Sequence, residues 1–270
     1  MPYISKFKEH KINKRKSLQI FFSVIKALFL REIVTRFSTK KLGYLWAIID
    51  PMAMIVVFSI MKIMLGKKIA SDIDYSVFLA TSFIAYNMFK DIAFKSMEAF
   101  NANQGLFVYK QVRPIDTIIS RSLIEVLIRG VITLLFLFIG WFLGLNIDCK
   151  NILGVLIGFI WIAFFGLSLG ILFAVIGFFY ENFKNIIKLV FLPMFFLSGL
   201  FYTAGSLPPM AREILLYNPI LNFMELIHGN YFYSLDTHYV NYSYILFWTL
   251  IPMFIGLWIY NKSEKKIIMS

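Results

Sequence analysis

Residues 151–179 read NILGVLIGFIWIAFFGLSLGILFAVIGFF, which is twenty-nine residues without one charged side chain. A helix of about 20 apolar residues is long enough to cross the hydrocarbon core of a bilayer. The whole chain agrees, because 59% of its 270 residues are hydrophobic and only 16% are charged. Soluble domains carry roughly a quarter of charged residues, so the sequence predicts an all-α membrane protein and excludes a soluble enzyme or a disordered chain.

Six transmembrane helices are predicted from this and five further apolar segments. The predicted spans are 44–65, 75–89, 123–145, 151–179, 189–202 and 243–261. These boundaries leave 21 of the 27 Lys and Arg on one side of the membrane and four in the loops of the other side. The basic side comprises 1–43, 90–122, 180–188 and 262–270. Cytoplasmic loops collect Lys and Arg, so both termini are expected in the cytoplasm, and the net charge of +12 reflects orientation more than an acidic partner.

The N-terminal region divides into a basic cytoplasmic tail at 1–17 and an amphipathic helix at 18–40. Apolar residues recur in the helix at helical spacing, with polar residues largely between them. This pattern is typical of a helix that lies at the membrane surface. The remaining boundaries place one transmembrane domain at 18–261 and a short cytoplasmic tail at 262–270.

An unusual segment follows the fifth predicted span on the exoplasmic side. The region 203–242 contains Pro208-Pro209, a short apolar helix and Asn218-Pro219. It is too polar to span the membrane and too apolar for a free loop. The sequence therefore predicts a re-entrant pair of short helices, with the re-entrant segment at 203–219, sheltered by protein within the outer leaflet.

Glycines four residues apart predict close helix packing, because small residues let helix backbones approach in lipid. The predicted packing positions are Gly140 and Gly144 in the third span, and Gly154, Gly158, Gly166 and Gly170 in the fourth.

Evident catalytic chemistry is sparse. Asp72 and Asp74 resemble the paired carboxylates of some glycosyltransferases, which keeps an integral-membrane glycosyl- or acyltransferase as a remote alternative. Glu225 and His228 have the spacing of carboxylate-bridged metal sites, but a two-metal site needs that motif twice. The sequence contains no G-x-x-x-x-G-K-[ST] motif, so active transport would need a separate ATPase that binds ATP and Mg²⁺. We predict no catalytic, cofactor or metal site in this chain.

Two pairs of sequence segments resemble a known protein family. Residues 30–37 (LREIVTRF) with 42–51 (LGYLWAIIDP) resemble the entry to the first span of type-2 ABC export permeases. Residues 102–107 (ANQGLF) with 112–119 (VRPIDTII) are similar to the cytoplasmic loop of the group-2 capsular polysaccharide branch. Two features depart from the family pattern: Asp50 stands where Glu is expected, and the basic tail is longer.

The resemblance implies the partners of such a permease. It implies a homodimer that pairs with two ABC ATPase subunits and exports a lipid-linked anionic polysaccharide across the bacterial inner membrane. Periplasmic and outer-membrane export proteins and membrane lipids are further expected partners, and nucleic acid is not. An exporter of O-antigen, teichoic acid, another lipid or a drug is the alternative within the family.

The resemblance also assigns expected roles to residues. Coupling to the ATPase is expected in the loop 90–122, at Asn103, Gln104, Gly105, Arg113, Pro114 and Asp116. The cytoplasmic gate and mouth are expected at Lys26, Arg31, Glu32, Arg36, Gly43, Tyr44, Trp46, Asp50 and Pro51. Aromatic rings suit the passage of sugars, which places the expected conduit at Phe195, Phe201 and Tyr202. The exoplasmic re-entrant gate is expected at Pro208, Pro209, Asn218 and Pro219.

Overall fold

The fold is described by a computed structural model, which covers residues 17–38, 49, 53, 56, 57, 60 and 73–269. The helices are α1 (Ser17–Ser38), α2 (Tyr75–Met97), α3 (Ala99–Asn103), α4 (Pro114–Phe142), α5 (Ile152–Phe179), α6 (Glu181–Leu197), α7 (Pro209–Leu215), α8 (Pro219–Tyr231) and α9 (Tyr242–Met269). Short 3₁₀ turns lie at Gln104–Leu106 and Ala204–Ser206. Within these ranges there is no strand, which agrees with the predicted all-α class.

Four of these helices, α2, α4, α5 and α9, are long and apolar enough to cross a membrane. Helix α6 has 17 residues and contains Pro193, and it falls below that length. The first predicted span, 44–65, lies outside the described residues except at isolated positions. The multi-pass membrane protein predicted from composition is therefore confirmed, and the count of six spans stays a prediction.

Helix α5 occupies the centre and packs against α2, α8 and α9. A Cβ on Gly166 would lie 2.9 Å from the Phe89 oxygen, so the α2 backbone approaches α5 directly there. Gly256 of α9 approaches the backbone nitrogen of Leu172 equally closely. Gly158 faces α8, where the side chain of Ile227 fills the space of a Cβ. The glycines of α5 thus pack against neighbouring helices, as their spacing predicts.

The other predicted glycine pair behaves differently. Gly140 contacts Leu145 and Ile147 of its own connecting loop, and Gly144 has a φ of +72° just after α4 ends. A positive φ costs glycine little, so Gly144 serves to turn the chain. The prediction that this pair packs one helix on another is wrong.

Several helices extend beyond the predicted membrane spans. Helix α2 continues to Met97, past the predicted span end at Phe89, and α4 begins at Pro114, before the predicted span start at Leu123. The predicted loop 90–122 thus contains the last turns of α2 and the first turns of α4. Helix α6 begins at Glu181, eight residues before the predicted span.

Helix α1 packs along α4. Val24, Ile25 and Leu28 lie on one face and are buried, whereas Leu18 and Phe22 are exposed. Only the face of α1 that contacts α4 is buried. The exposed apolar residues of α1 form a second surface that the described part of the chain does not cover.

Candidate functional site

The first part of the candidate site is a hydrogen bond between α1 and the loop after α2. Arg31 Nη1 donates to Oδ1 of Asn103 over 2.9 Å. Asn103 is 4% exposed, and its Nδ2 donates to the carbonyl oxygen of Ala99 over 2.8 Å. The amide is therefore held by α3 on one side while it receives the guanidinium of α1 on the other.

A second link joins α1 to α4 beside the first. Arg121 Nε lies 3.3 Å from Glu32 Oε1, and both side chains are largely buried. Arg121 also donates from Nη1 to the carbonyl oxygen of Lys95 over 3.0 Å. This arginine thus connects α4 with both α1 and α2.

Charges on α4 and α2 continue the set toward the membrane. Lys95 Nζ lies 2.8 Å from Glu125 Oε1, and Arg129 pairs with Asp91. Residues four apart share one face of a helix, so Arg121, Glu125 and Arg129 form one row on α4. This row faces Asp91 and Lys95, which form a second row on α2. We call the residues Arg31, Glu32, Asp91, Lys95, Asn103, Arg121, Glu125 and Arg129 the charged joint.

Burial makes the charged joint energetically sensitive. The side chain of Glu125 is 1% exposed and that of Arg129 is 10% exposed. Removing one partner from a buried ion pair costs about 3–5 kcal/mol, because the other charge stays buried without compensation. The joint therefore holds α1, α2 and α4 in one mutual arrangement.

The tip of the loop carries exposed residues of mixed character. Gln104 and Gly105 are exposed, as are Val108 (83%) and Tyr109 (63%). Phe107 between them is 4% exposed and packs into the core beneath the loop. Phe107 thus anchors the tip to the core, and the exposed residues around it form a surface of mixed apolar and polar character.

The remaining predicted coupling residues start α4. Pro114 takes the first helical position, where the missing N–H costs nothing. The backbone N–H of Arg113 donates to Oδ2 of Asp116 over 2.9 Å, and Asp116 is 4% exposed. Asp116 therefore stabilises the helix start, whereas the side chain of Arg113 is exposed.

Only part of the predicted cytoplasmic mouth can be placed. Lys26 and Arg31 are exposed on α1, and Glu32 is half-buried in the charged joint. Arg36 belongs to α1, but its side chain is not described. Gly43, Tyr44, Trp46, Asp50 and Pro51 lie outside the described residues.

Helices α7 and α8 form the segment predicted as an outer hairpin. Asn218 caps α8 by accepting from the Ile220 N–H over 3.0 Å. Its Nδ2 donates to the Leu197 carbonyl oxygen over 3.1 Å and to Ser198 Oγ over 3.0 Å. The predicted gate residue Asn218 therefore ties the hairpin turn to the end of α6. Pro219 is the first residue of α8, whereas Pro208 and Pro209 are exposed at the start of α7.

A buried carboxyl group secures the other end of the hairpin. Oε1 of Glu225 accepts from the backbone N–H of Ala204 over 2.7 Å. His228 lies one turn later, and its Nε2 shares a 2.8 Å hydrogen bond with Oγ of Ser82 on α2 instead. Glu225 and His228 thus serve two different contacts, and no metal-binding group of three or more such side chains occurs in the described part of the chain.

The predicted conduit aromatics gather with aromatic residues of α2. The Phe195 ring centroid lies 5.7 Å from that of Phe83 and 5.6 Å from that of Phe201. Tyr86 also packs edge-on against Phe195 at 5.5 Å. Phe195, Phe201 and Tyr202 are all half-buried. Phe195 and Phe201 therefore line the junction of α6, α2 and the hairpin start.

Sequence reasoning did not assign five members of the charged joint as site residues: Asp91, Lys95, Arg121, Glu125 and Arg129. A signal was present, since Asp91 and Lys95 are four apart and Arg121 begins a row of alternating charge with Glu125 and Arg129. Charged residues within or next to an apolar span are expected to face the helix bundle and to pair with charges on another helix.

Comparison with known proteins finds similar proteins over nearly the whole chain. A family model described as ABC-2 type transporter matches residues 23–232. The polysialic acid transport protein KpsM of Escherichia coli is 32% identical over 257 residues, covering 95% of this chain and 99% of that protein. The capsule polysaccharide export inner-membrane protein CtrC of Neisseria meningitidis serogroup B is 29% identical, with 96% and 97% covered.

A third relative is the capsule polysaccharide export inner-membrane protein BexB of Haemophilus influenzae. It is 27% identical over 261 residues, covering 94% of this chain and 96% of that protein. The family model covers α1 from residue 23 onward, the charged joint and the hairpin. The chain belongs to the ABC-2 type transporter family.

Proposed function

We propose that this chain is the membrane subunit of an exporter that moves a lipid-linked anionic polysaccharide, of capsular type, across the bacterial inner membrane. The observation that carries the proposal is near full-length similarity to KpsM, CtrC and BexB, whose names specify polysialic acid transport or capsule polysaccharide export. Energy would come from separate ATPase subunits, because the sequence lacks a phosphate-binding loop motif.

The proposed orientation has six spans and both termini in the cytoplasm. It rests on the excess of Lys and Arg in segments that this topology places inside. Helix α6 and the segment 44–65 supply the two spans beyond the four long helices. Helix α1 then lies at the cytoplasmic face, and α7 and α8 enter the outer leaflet as a re-entrant pair.

The tip of the loop between α2 and α4 is the proposed seat for the ATPase. Gln104, Gly105, Val108 and Tyr109 are exposed there, and Arg113 adds a positive charge nearby. An apolar centre with polar neighbours is the composition of a protein interface. Phe107 below the tip would resist compression, so that force on the tip moves the helices attached to it.

The charged joint is the proposed path from the tip into the membrane domain. Asn103 passes a displacement to Arg31, and Arg121 shares the movement between Glu32 of α1 and the α2 backbone. Ion pairs and hydrogen bonds with two alternative arrangements are suited to transmit such a change. ATP-driven closure of the partner would thereby shift α1 and α2 against α4.

The proposed path of the polymer runs from the basic mouth to the outer hairpin. Lys26 and Arg31 are exposed on α1, where cations would raise the local concentration of an anionic polymer. Phe195, Phe201 and Tyr202 would present aromatic rings near the outer end, and Asn218 would couple α6 to the hairpin that gates it. A second copy of the chain would complete the conduit, and periplasmic and outer-membrane export proteins would receive the polymer.

Deleting the gene in the source bacterium tests this proposal. If the chain is an exporter subunit, the deletion strain should accumulate polymer in the cytoplasm. A plasmid copy of the gene should then restore polymer at the cell surface. Loss of all polymer would instead indicate a synthetic enzyme. An unchanged capsule together with altered O-antigen would assign the transporter to another substrate.

A further inference from the structure

One exposed stripe on α9 changes from apolar to basic along the helix. Its members recur every three or four residues and share one face: Phe247, Ile251, Phe254, Trp258, Lys262 and Lys265. The first four are between 53% and 73% exposed, and both lysines are exposed. Apolar residues followed by cations match the order of acyl chain and headgroup in a phospholipid.

The junction between the two halves of the stripe has a defined geometry. Lys262 Nζ lies 3.7 Å from the centroid of the Trp258 ring. Indole rings prefer the level of lipid headgroups, so Trp258 marks the membrane boundary on α9. The cation–π contact holds the ammonium group of Lys262 at that boundary, where a headgroup phosphate lies.

The positive charge of the stripe is not neutralised by the described part of the chain. Lys262, Lys265 and the flanking Lys266 form no ion pair there. Glu264 is the one acidic residue of α9, and its Oε1 accepts from the Tyr260 hydroxyl over 2.8 Å on the opposite, buried side. The three lysines are therefore available to an anion at the membrane surface.

A groove between α5 and α9 lies at the depth that an acyl chain would reach. It has a volume of about 450 Å³ and is lined by Ile157, Ile160, Trp161, Phe164, Thr249, Leu250 and Met253. Leu250 precedes Lys262 by twelve residues, which is about 18 Å along a helix. One leaflet of hydrocarbon is about 15 Å thick, so the end of an acyl chain from a lipid at Lys262 would reach the depth of this groove.

We infer that α9 binds an anionic phospholipid of the cytoplasmic leaflet, with its phosphate at Lys262 and Lys265 and an acyl chain along Trp258 and Phe254 toward the groove. The inference rests on the proposed orientation, which puts Lys262 on the cytoplasmic side. It does not rest on the identity of the exported polymer. Charge complementarity selects an anionic over a zwitterionic lipid.

Quenching of tryptophan fluorescence by brominated lipid tests the site in the full-length protein. The protein is reconstituted in mixed phosphatidylglycerol and phosphatidylcholine vesicles at equal mole fractions, with one or the other lipid brominated. The difference between wild type and Trp258→Phe isolates the signal of Trp258. We expect brominated phosphatidylglycerol to quench this signal more than brominated phosphatidylcholine.

Charge variants separate the site from general attraction to the membrane. Lys262→Gln should reduce the preference for phosphatidylglycerol roughly fivefold, since each lysine near an anionic surface contributes about that factor. The double variant Lys262→Gln/Lys265→Gln should abolish the preference, and Lys262→Arg should retain it. Lys188→Gln is the matched control, because Lys188 is an exposed lysine on α6, and it should leave the preference unchanged.

Several outcomes would overturn the inference. Equal quenching by both lipids would show that α9 does not select an anionic headgroup. Absence of quenching by either lipid would show that another helix or a second copy covers the stripe. Loss of the preference in excess inorganic phosphate at matched ionic strength would indicate a free-anion site, and displacement by an added acidic polysaccharide would indicate a polymer site. If Trp258→Phe fails to fold, native mass spectrometry of retained phosphatidylglycerol in wild type, Lys262→Gln and Lys188→Gln decides the same question.

Discussion

Arg31 of α1 and Asn103 at the end of α3 are 72 residues apart in sequence, and the guanidinium Nη1 donates to the amide Oδ1 over 2.9 Å. Asn103 is buried and belongs to the same loop as the exposed tip at Gln104 and Gly105. The first helix of the protein is thus attached directly to the loop that faces the proposed ATPase.

Breaking this hydrogen bond should uncouple transport from ATP hydrolysis. Asn103→Ala removes an acceptor for a charged donor, a contact worth about 1.5–3 kcal/mol. We expect polymer export to fall while the complex still assembles and hydrolyses ATP, measured on purified complex and on cells. Asn101→Ala is the control, because Asn101 is exposed on the same short helix. Equal export by the two variants would contradict the assignment.

The buried ion pair of Asp91 and Arg129 should contribute strongly to stability. Asp91→Asn leaves the Arg129 charge largely buried without its counter-charge, so the free energy of unfolding should fall by about 3 kcal/mol. Thermal unfolding in detergent measures the change. Glu98→Gln, at an exposed position just after α2, should unfold at the wild-type temperature. A melting temperature of Asp91→Asn equal to that of the wild type would show that the ion pair does not stabilise the fold.

A charge at the tip of the loop should prevent association with the ATPase. Tyr109 is 63% exposed, and Tyr109→Asp places a carboxylate in the centre of the proposed interface. Co-purification of the ATPase should be lost while the chain still inserts in the membrane. Tyr233→Asp changes a tyrosine of similar exposure (68%) that the proposed topology places on the periplasmic side, and this variant should co-purify with the ATPase normally. If the ATPase still co-purifies with Tyr109→Asp, the tip of the loop is not the interface.

Arg113 and Asp116 are both expected to take part in coupling, but they differ in burial, because the Arg113 side chain is exposed and Asp116 is buried. Arg113→Glu changes an exposed side chain and should reduce export without loss of stability. Asp116→Ala removes the acceptor for the Arg113 N–H and should lower stability by about 1 kcal/mol, as loss of a helix cap does. Melting curves and export assays on both variants distinguish the two roles. The same loss of stability in both would contradict the separation.

Cys149 reports the orientation of the loop between α4 and α5. Burial raises the pKa of its thiol, so less of the reactive thiolate is present at neutral pH. A maleimide that cannot cross the membrane should label Cys149 from the periplasmic side, slowly at pH 7 and faster as the pH rises. Cys149→Ser should remove all labelling, since the chain has one cysteine. Labelling of Cys149 only from the cytoplasmic side would contradict the proposed topology.

The sequence predicts the most apolar helices well and the charged ones less well. Helix α5 begins at Ile152 and ends at Phe179, within one residue of its predicted bounds, because no charge interrupts it. The predicted span 75–89 stops before Asp91 and Lys95, whereas helix α2 continues to Met97. Partners on α4 neutralise both of these charges. Hydropathy alone cannot show that neutralisation.

The candidate site was predictable only in part. Proline and asparagine at 218–219 indicate a helix start, and the structure places them at the start of α8. The tie from Asn218 to Leu197 and Ser198 was not predictable, because it depends on how the hairpin folds back onto α6. The link between Arg31 and Asn103 escaped sequence reasoning for the same reason, since nothing local relates two residues 72 positions apart.

The most direct test of the central claim is polymer transport into inverted membrane vesicles that contain this chain and its ATPase. The account predicts that lipid-linked anionic polysaccharide becomes protected inside the vesicles only when ATP and both proteins are present, and that Asn103→Ala lowers protection but not ATP hydrolysis. Protection that is independent of this chain, or new polymer formed by the chain without the ATPase, would contradict it.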